Sequence, residues 1–309
     1  MDQTDGEVII ENPLAQDSIF YHLAISARPR HWVKNILLFA PLLFSQGILD
    51  GRSVIRSTIA FSVFCMAASA VYILNDIKDQ EEDRRHPLKR LRPIASGIFP
   101  VPFAAGCAIG LVGLSFGISF LLNQYLFYVV MGYIVLQILY TQILKTILIL
   151  DVFSVAAGYF SRVAAGAIVN DVSISHWLVI CTIMLSLFLA LAKRRHEQVI
   201  LGEGAVNHRK TLSEYSPYLL DQMIGVVTAT TVISYILYPV SPDTVAKYHT
   251  HGLMATIPFV LYGIFRYLYL VHQKQSGGNP EKVLLADRPL LLNVILWGMT
   301  SFLIIYLST

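Results

Sequence analysis

Between residues 75 and 83 the chain reads Asn-Asp-Ile-Lys-Asp-Gln-Glu-Glu-Asp, with five acids inside eight positions. Residues three and four apart on a helix share a face, so Asp76, Asp79 and Asp83 can turn their carboxylates toward one another, with Asn75 alongside. Oxygen ligands of this kind suit a hard divalent cation such as magnesium, which ordinarily keeps substrate phosphates in its shell. A helix end breaking into solvated salt links would also explain a charge run. Three features count against that: an apolar stretch directly ahead, the poor helix propensity of aspartate, and a mutual repulsion that needs a counter-ion. Asp76, Asp79 and Asp83 are the expected metal ligands.

A basic stretch follows at once, with Arg84, Arg85, His86, Lys89, Arg90 and Arg92. Carboxylates that hold magnesium beside guanidinium and ammonium groups make a place for a diphosphate, the metal bridging oxygens and the arginine forks taking the remaining charge. The bias of basic residues toward the inner membrane face explains such a loop without a ligand. The expectation therefore attaches to the cluster: Asn75, Arg84, Arg85, Lys89 and Arg92.

Further along, Tyr140 and Lys145 precede a greasy run that contains Asp151 and Arg162. Those two are 11 residues apart, which on a helix is one face but about 16 Å of rise, too far for a direct pair. Each needs another partner or a water-filled cavity. Lys193-Arg194-Arg195-His196-Glu197 suits either a membrane-end anchor or a phosphate site, and Asp287-Arg288-Pro289 reads as a helix start with proline in its first turn. Ala156, Ala157, Gly158, Ala164, Ala165 and Gly166 permit close helix packing. The three cysteines, Cys65, Cys107 and Cys181, have neither paired nor metal-type spacing, and no glycine-rich phosphate loop or nucleophile elbow is present.

These side chains have to be positioned by membrane helices. Of 309 residues 55% are hydrophobic and only 14% charged, against about 25% charged in an ordinary soluble domain. That excludes a secreted module, a disordered chain and a cytosolic enzyme, and nothing in the pattern calls for nucleic acid. Nine apolar stretches are long enough to cross a bilayer: 33–49, 54–75, 101–122, 125–143, 147–169, 175–192, 219–239, 252–271 and 290–307. Pro41 and Gly47 interrupt the first. Residues 1–27 read as a cytosolic tail with an interfacial helix around Ile19–Ile25, and 28–309 as one all-α transmembrane domain. With the amino terminus inside, 18 of the 23 Lys and Arg residues face the cytosol, Arg209 and Lys210 among them, and three face outward. The split predicts a multi-pass protein of the inner membrane with the carboxyl terminus outside and the site facing the cytosol. Homo-oligomerisation is left open.

Taken together, these residues resemble the UbiA superfamily of intramembrane prenyltransferases. The resemblance is carried by Arg28-Pro-Arg-His-Trp-Val-Lys-Asn35, the acidic run, Asp83-Arg-Arg-His-Pro, Arg92-Pro-Ile-Ala-Ser-Gly97, Tyr140 with Lys145, Asp151 and Arg162, Lys193-Arg-Arg-x-Glu197, and Pro280-Glu with Asp287-Arg288. Within the superfamily the chain is most similar to the decaprenyl-phosphate phosphoribosyltransferase branch. The resemblance implies a nine-helix bundle, magnesium on the aspartates, phosphoribosyl diphosphate as donor and a polyprenyl phosphate lipid as acceptor. Arg30, Lys34, Lys193, Arg194, Arg195, Glu197, Asp287 and Arg288 join the substrate-binding set, while Tyr140, Lys145 and Arg162 orient donor and acceptor and Asp151 holds one of those cations. Ordinary members carry a second Asp-x-x-x-Asp on the fifth helix; here Asp151 is followed four residues later by Val155. Two alternatives stand beside this reading: an ordinary prenyltransferase with a prenyl diphosphate donor, and a secondary transporter. The crowding of charge at one end rather than the midplane speaks against the transporter.

Overall fold

The computed structural model describes residues 18–201, 211, 214–274 and 277–307; Asp2, Asp5, Glu7, Glu11, Asp17, Arg209 and Lys210 lie outside them. Among the described residues every regular element is helical. α1 spans Ile19–Ala27 and α2 Ala40–Phe44, followed by α3 Gly51–Lys78 and α4 Gln80–Arg85. Then come α5 Val101–Leu122, α6 Gln124–Gln142, α7 Leu150–Val169 and α8 His176–Leu201. The chain closes with α9 Pro217–Val240, α10 Pro242–Tyr248, α11 Ile257–His272, α12 Pro280–Ala286 and α13 Arg288–Leu307.

Eight stretches are helical, long and apolar enough to cross a membrane: α3, α5, α6, α7, α8, α9, residues 252–272 and α13. The ninth candidate, 33–49, is built differently. It forms a 3-10 helix over Pro29–Phe39, the five-residue α2 and a 3-10 turn at Gly47–Leu49. Pro41 in the first turn of α2 has no N–H to give, and Gln46 takes a left-handed conformation (φ 65°) that ends the helix. The segment still runs the length of the bundle. Its Lys34 pairs with Glu281 of α12, while Gln46 and the Ile48 N–H bond Ile305 and Tyr306 near the far end of α13. A tight, irregular strand of chain can pass here because α7 presents glycine: a Cβ on Gly166 would lie 1.9 Å from the Leu38 carbonyl oxygen.

Short capped connections make sequential helices antiparallel neighbours. Asp50 caps α3 by accepting from Arg52 and Ser53 N–H, Asn123 alone joins α5 to α6 and caps the latter, and Ser216 before Pro217 starts α9. α3 packs on α5, α7 on α8, and α8 on α9. Small buried residues such as Ala60, Ala67, Ala156 and Ala165 line the contacts, whereas Phe120, Leu121, Val226 and Leu303 point outward as a lipid-facing surface requires. Helix α8 runs past the predicted end at 192 through Lys193-Arg194-Arg195-His196-Glu197. Arg194 and Lys193 pair back with Glu197 one turn on, which offsets the polarity of that extension.

Candidate active site

The acidic run straddles the junction of α3 and α4, where Asp79 ends one helix and begins the next. Asp76 and Asp83 are seven residues apart, two helical turns, so they share a face although their Cα atoms stand about 10 Å apart along the axis. Both are buried, at 4% and 2% exposure. Arg92, at the end of the 3-10 turn Lys89–Leu91, draws them together: its Nη1 lies 3.2 Å from Asp76 Oδ1 and 2.6 Å from Asp83 Oδ2. Arg28 adds a second guanidinium to Asp76, and Lys89 Nζ stands 3.9 Å from Asp83. Arg28 reaches inward because it closes α1 in a left-handed conformation (φ 52°), and its guanidinium lies over the Tyr72 ring.

One cationic nitrogen thus touches two carboxylates at once. A divalent cation with oxygen ligands fits the same place by charge and donor type. The three predicted ligands are not equally gathered: among the described residues no three His, Cys, Asp or Glu side chains converge on one point, and Asp79 is half-exposed between the buried pair.

A second buried centre lies at the start of α7. Asp151 is fully buried and accepts from Arg194 Nε at 2.7 Å and from the Tyr215 hydroxyl at 2.8 Å. Arg194 also pairs with Glu197 and donates to the Tyr140 hydroxyl at 3.2 Å, so Tyr140, Asp151, Arg194 and Glu197 form one network, and the cation that Asp151 holds is Arg194 rather than the expected Lys145 or Arg162. The Ile149 N–H donates to the Tyr215 oxygen at 2.9 Å, and Ile149 itself is held at φ 70°. A left-handed conformation is costly for a β-branched residue, and such strain persists only where the surroundings over-determine it. Burial and the neighbouring Asp151 carboxylate push the Tyr215 phenol well above its ordinary range, which keeps it a donor. The turn that carries Lys145 is tied down as well, its carbonyl accepting from Thr211 at 3.1 Å.

The UbiA prenyltransferase family model matches residues 36–302. This chain belongs to the UbiA prenyltransferase family. A protein of Corynebacterium glutamicum named decaprenyl-phosphate phosphoribosyltransferase is 35% identical over 91% of this chain and 85% of its own. Its namesake from Mycolicibacterium smegmatis is 34% identical over 92% of each. A solved UbiA homolog from Archaeoglobus fulgidus, bound to GPP and Mg2+, superposes with a TM-score of 0.69 over 94% of this chain and all of its own, at 18% identity. At that identity the likeness is one of fold.

Within this UbiA member the remaining predicted residues fall into three groups. Lys34 pairs with Glu281, and His31 Nδ1 lies 3.9 Å from the same carboxylate. Burial, Lys34 and Arg28 together lower the His31 imidazole to about 4. Arg162 is buried in the middle of α7, donating from Nε to Asn35 at 2.7 Å, from Nη2 to Tyr133 at 3.2 Å and from Nη1 to the Gly158 carbonyl.

The third group is not drawn into either centre. Arg195 pairs with Asp221, which His272 also reaches at 3.2 Å. Asp287 takes a bidentate grip from Arg266 at 3.1 and 2.8 Å and caps α13 at Leu290, and these bonds hold its carboxyl below the usual range. Arg84 turns away to Glu81 and to the Ala95 carbonyl. Arg30, Arg85 and Arg288 are exposed. Four residues of the centres were not among the predicted contacts: Arg28, Asn35, Tyr133 and Tyr215. The first two close the ends of the Arg28–Asn35 motif and were legible there; nothing in the spacing marks the tyrosines.

Proposed function

We propose that the protein transfers 5-phosphoribose from phosphoribosyl diphosphate to the phosphate of a polyprenyl lipid, releasing diphosphate, at the cytosolic face of the inner membrane with its amino terminus inside. The observation that carries this reading is the state of Asp151. An ordinary prenyltransferase needs a second metal-binding acidic pair on this helix. Here Val155 replaces the second acid, and a guanidinium, Arg194, sits 2.7 Å from the first. One acidic centre remains, at Asp76 and Asp83. That suits a donor whose diphosphate sits on a soluble sugar and an acceptor that arrives as a monophosphate. The two named phosphoribosyltransferase relatives support the same assignment.

Asp76 and Asp83, with Asp79 beside them, would hold magnesium together with the donor's diphosphate oxygens. Bound there, the ion supplies neutralisation of charge on the leaving diphosphate. Loss of diphosphate from the sugar C1 develops oxocarbenium character, and a phosphate oxygen of the acceptor forms the new C1–O bond. The acceptor phosphate is already ionised near neutral pH, so the residues orient rather than deprotonate it. Arg28 and Arg92, which lie against these carboxylates, would take the remaining charge of the diphosphate; Lys89, Lys34 and Lys193 stand at the same end. Tyr140 and Lys145 orient donor and acceptor beside the Asp151–Arg194 pair. Ala27 and Trp32, which flank Arg28, also line an apolar cavity of about 320 Å³ with Leu23, Met66 and Leu111, a space into which the isoprenoid extends.

Purified protein in detergent, given radiolabelled phosphoribosyl diphosphate and polyprenyl phosphate with magnesium, should form a lipid-soluble labelled product. Absence of that product, or a product from a prenyl diphosphate donor instead, would reject the reading.

A further inference from the structure

Among the described residues only Arg162 and Arg194 are buried arginines, and Arg194, like the half-buried ones around it, is neutralised by an acid. Arg28 and Arg92 hold Asp76, Arg194 holds Asp151, Arg195 holds Asp221 and Arg266 holds Asp287. Arg162, 5% exposed in the middle of α7, has no carboxylate partner among the described residues. Its partners are neutral: the Asn35 amide oxygen, the Gly158 carbonyl and the Tyr133 hydroxyl, with the rings of Tyr133, Tyr159 and Phe64 between 4.9 and 5.9 Å of the guanidinium carbon. Cation–π contact and neutral hydrogen bonds offset part of the cost of burying a charge, but none cancels it. Three of the five guanidinium N–H groups are used by these partners; the remaining two, with an uncompensated positive charge at membrane depth, suit an anion.

The surroundings narrow the anion. Asn35 is itself fixed by donating to the Cys65 sulfur at 3.2 Å, so it holds the guanidinium plane in one orientation. Tyr72 and Tyr159, both half-buried, lie beneath the Arg28 and Arg162 guanidinium groups respectively, and Lys34 is the residue beside Asn35. A fork of fixed N–H groups with hydroxyls around it matches a tetrahedral phosphomonoester. A metal-bound diphosphate belongs instead to Asp76 and Asp83.

We propose that Arg162, oriented by Asn35 and Tyr133, is a buried phosphomonoester subsite separate from the carboxylate centre. The proposal rests on the transfer reading only for the source of the phosphate, either the 5-phosphate of the sugar donor or the phosphate of the lipid acceptor.

The test supplies Arg162 with the acid it lacks. Asn35→Asp is nearly isosteric and places a carboxylate where the amide oxygen now accepts at 2.7 Å. It keeps the acceptor for Arg162 Nε while cancelling the charge, and gives up only the Asn35 donation to the Cys65 sulfur. Calorimetric titration of the solubilised protein with ribose 5-phosphate, and separately with geranyl phosphate, reads the two sources. Wild type should bind one of them, Asn35→Asp should bind it at least tenfold more weakly, and Arg162→Lys, which keeps the charge but lacks the fork, should fall between the two. If Asn35→Asp binds both ligands as wild type does, or wild type binds neither, the subsite is wrong. If wild type binds through Arg162 yet forms no lipid-linked phosphoribose, the subsite stands and the transfer reading falls.

Discussion

The Tyr215 hydroxyl stands 2.8 Å from Asp151 Oδ1, to which it donates, and accepts the strained Ile149 N–H at 2.9 Å. One phenol thereby joins the segment entering α9 to the first turn of α7 and fixes the acid that holds Arg194. Tyr215→Phe leaves a buried carboxylate oxygen and a buried N–H each short of a partner, a loss of about 1–3 kcal/mol. The melting temperature should fall. Turnover should drop about tenfold through the displaced Arg194, with the magnesium requirement unchanged. A full-activity Tyr215→Phe enzyme would show that this lock does not position the site.

The carboxylates at the α3–α4 junction should differ in their importance. Asp76→Asn and Asp83→Asn each remove an oxygen from the point Arg92 now occupies, and several kcal/mol of charge stabilisation go with it, about 100-fold or more in turnover. Asp79→Asn, at the half-exposed position between them, should cost less than either. Steady-state rates over a magnesium titration distinguish the three. Equal losses would mean that Asp79 swings in to become a full ligand.

Removing the metal should not unfold the protein. Arg28 and Arg92 already neutralise Asp76, and Arg92 neutralises Asp83, without any ion. Chelation is expected to abolish turnover while leaving the melting temperature within about 2 °C. Arg92→Ala removes the link between the two acids, so the same chelator should then lower the melting temperature clearly.

Much of this site was legible from residue types. Asp76 and Asp83 announce themselves by helical spacing at the end of an apolar run. Asp151 and Arg162 do so because ionisable groups inside apolar stretches need partners. The 3.6-residue period also puts Asp79 with them, but a half-turn break at that residue turns it aside, and spacing cannot show a break. Arg28 and Arg30 are equivalent in the string Arg-Pro-Arg; only the left-handed backbone at Arg28 decides which one faces Asp76. The segment 33–49 has the composition of a membrane helix, yet its packing against Gly166 selects a 3-10 path. Tyr133 and Tyr215 act over 29 and 64 residues of sequence, and contacts of that range leave no periodic mark.

Stability should depend on acidity through His31. Its folded-state value of about 4 lies below the ordinary 6.5 because burial and the nearby Lys34 and Arg28 disfavour the imidazolium. The unfolded chain takes up the proton first, so stability is fully present above pH 6.5 and declines as the pH falls from 6.5 toward 4. His31→Gln should flatten that part of the pH profile of the melting temperature. An unchanged slope would place the acid sensitivity in other groups.

Two glycines separate packing from propensity. A Cβ at Gly166 would meet the Leu38 carbonyl oxygen at 1.9 Å, a backbone atom that cannot rotate away, whereas nothing lies within 4 Å of the position at Gly117 in α5. Gly166→Ala therefore forces α7 away from the 29–39 segment. Overpacking of this kind costs about 1–3 kcal/mol or more. Because that segment carries Asn35 and Lys34, turnover should fall together with the melting temperature. Gly117→Ala has only the intrinsic preference of a helix for alanine to register, about 0.5–1 kcal/mol in the stabilising direction. Thermal unfolding of the two variants in one detergent provides the comparison. Equal stability would mean that the irregular first crossing can move aside without loss, and that its close approach to α7 does not hold Asn35 against Arg162.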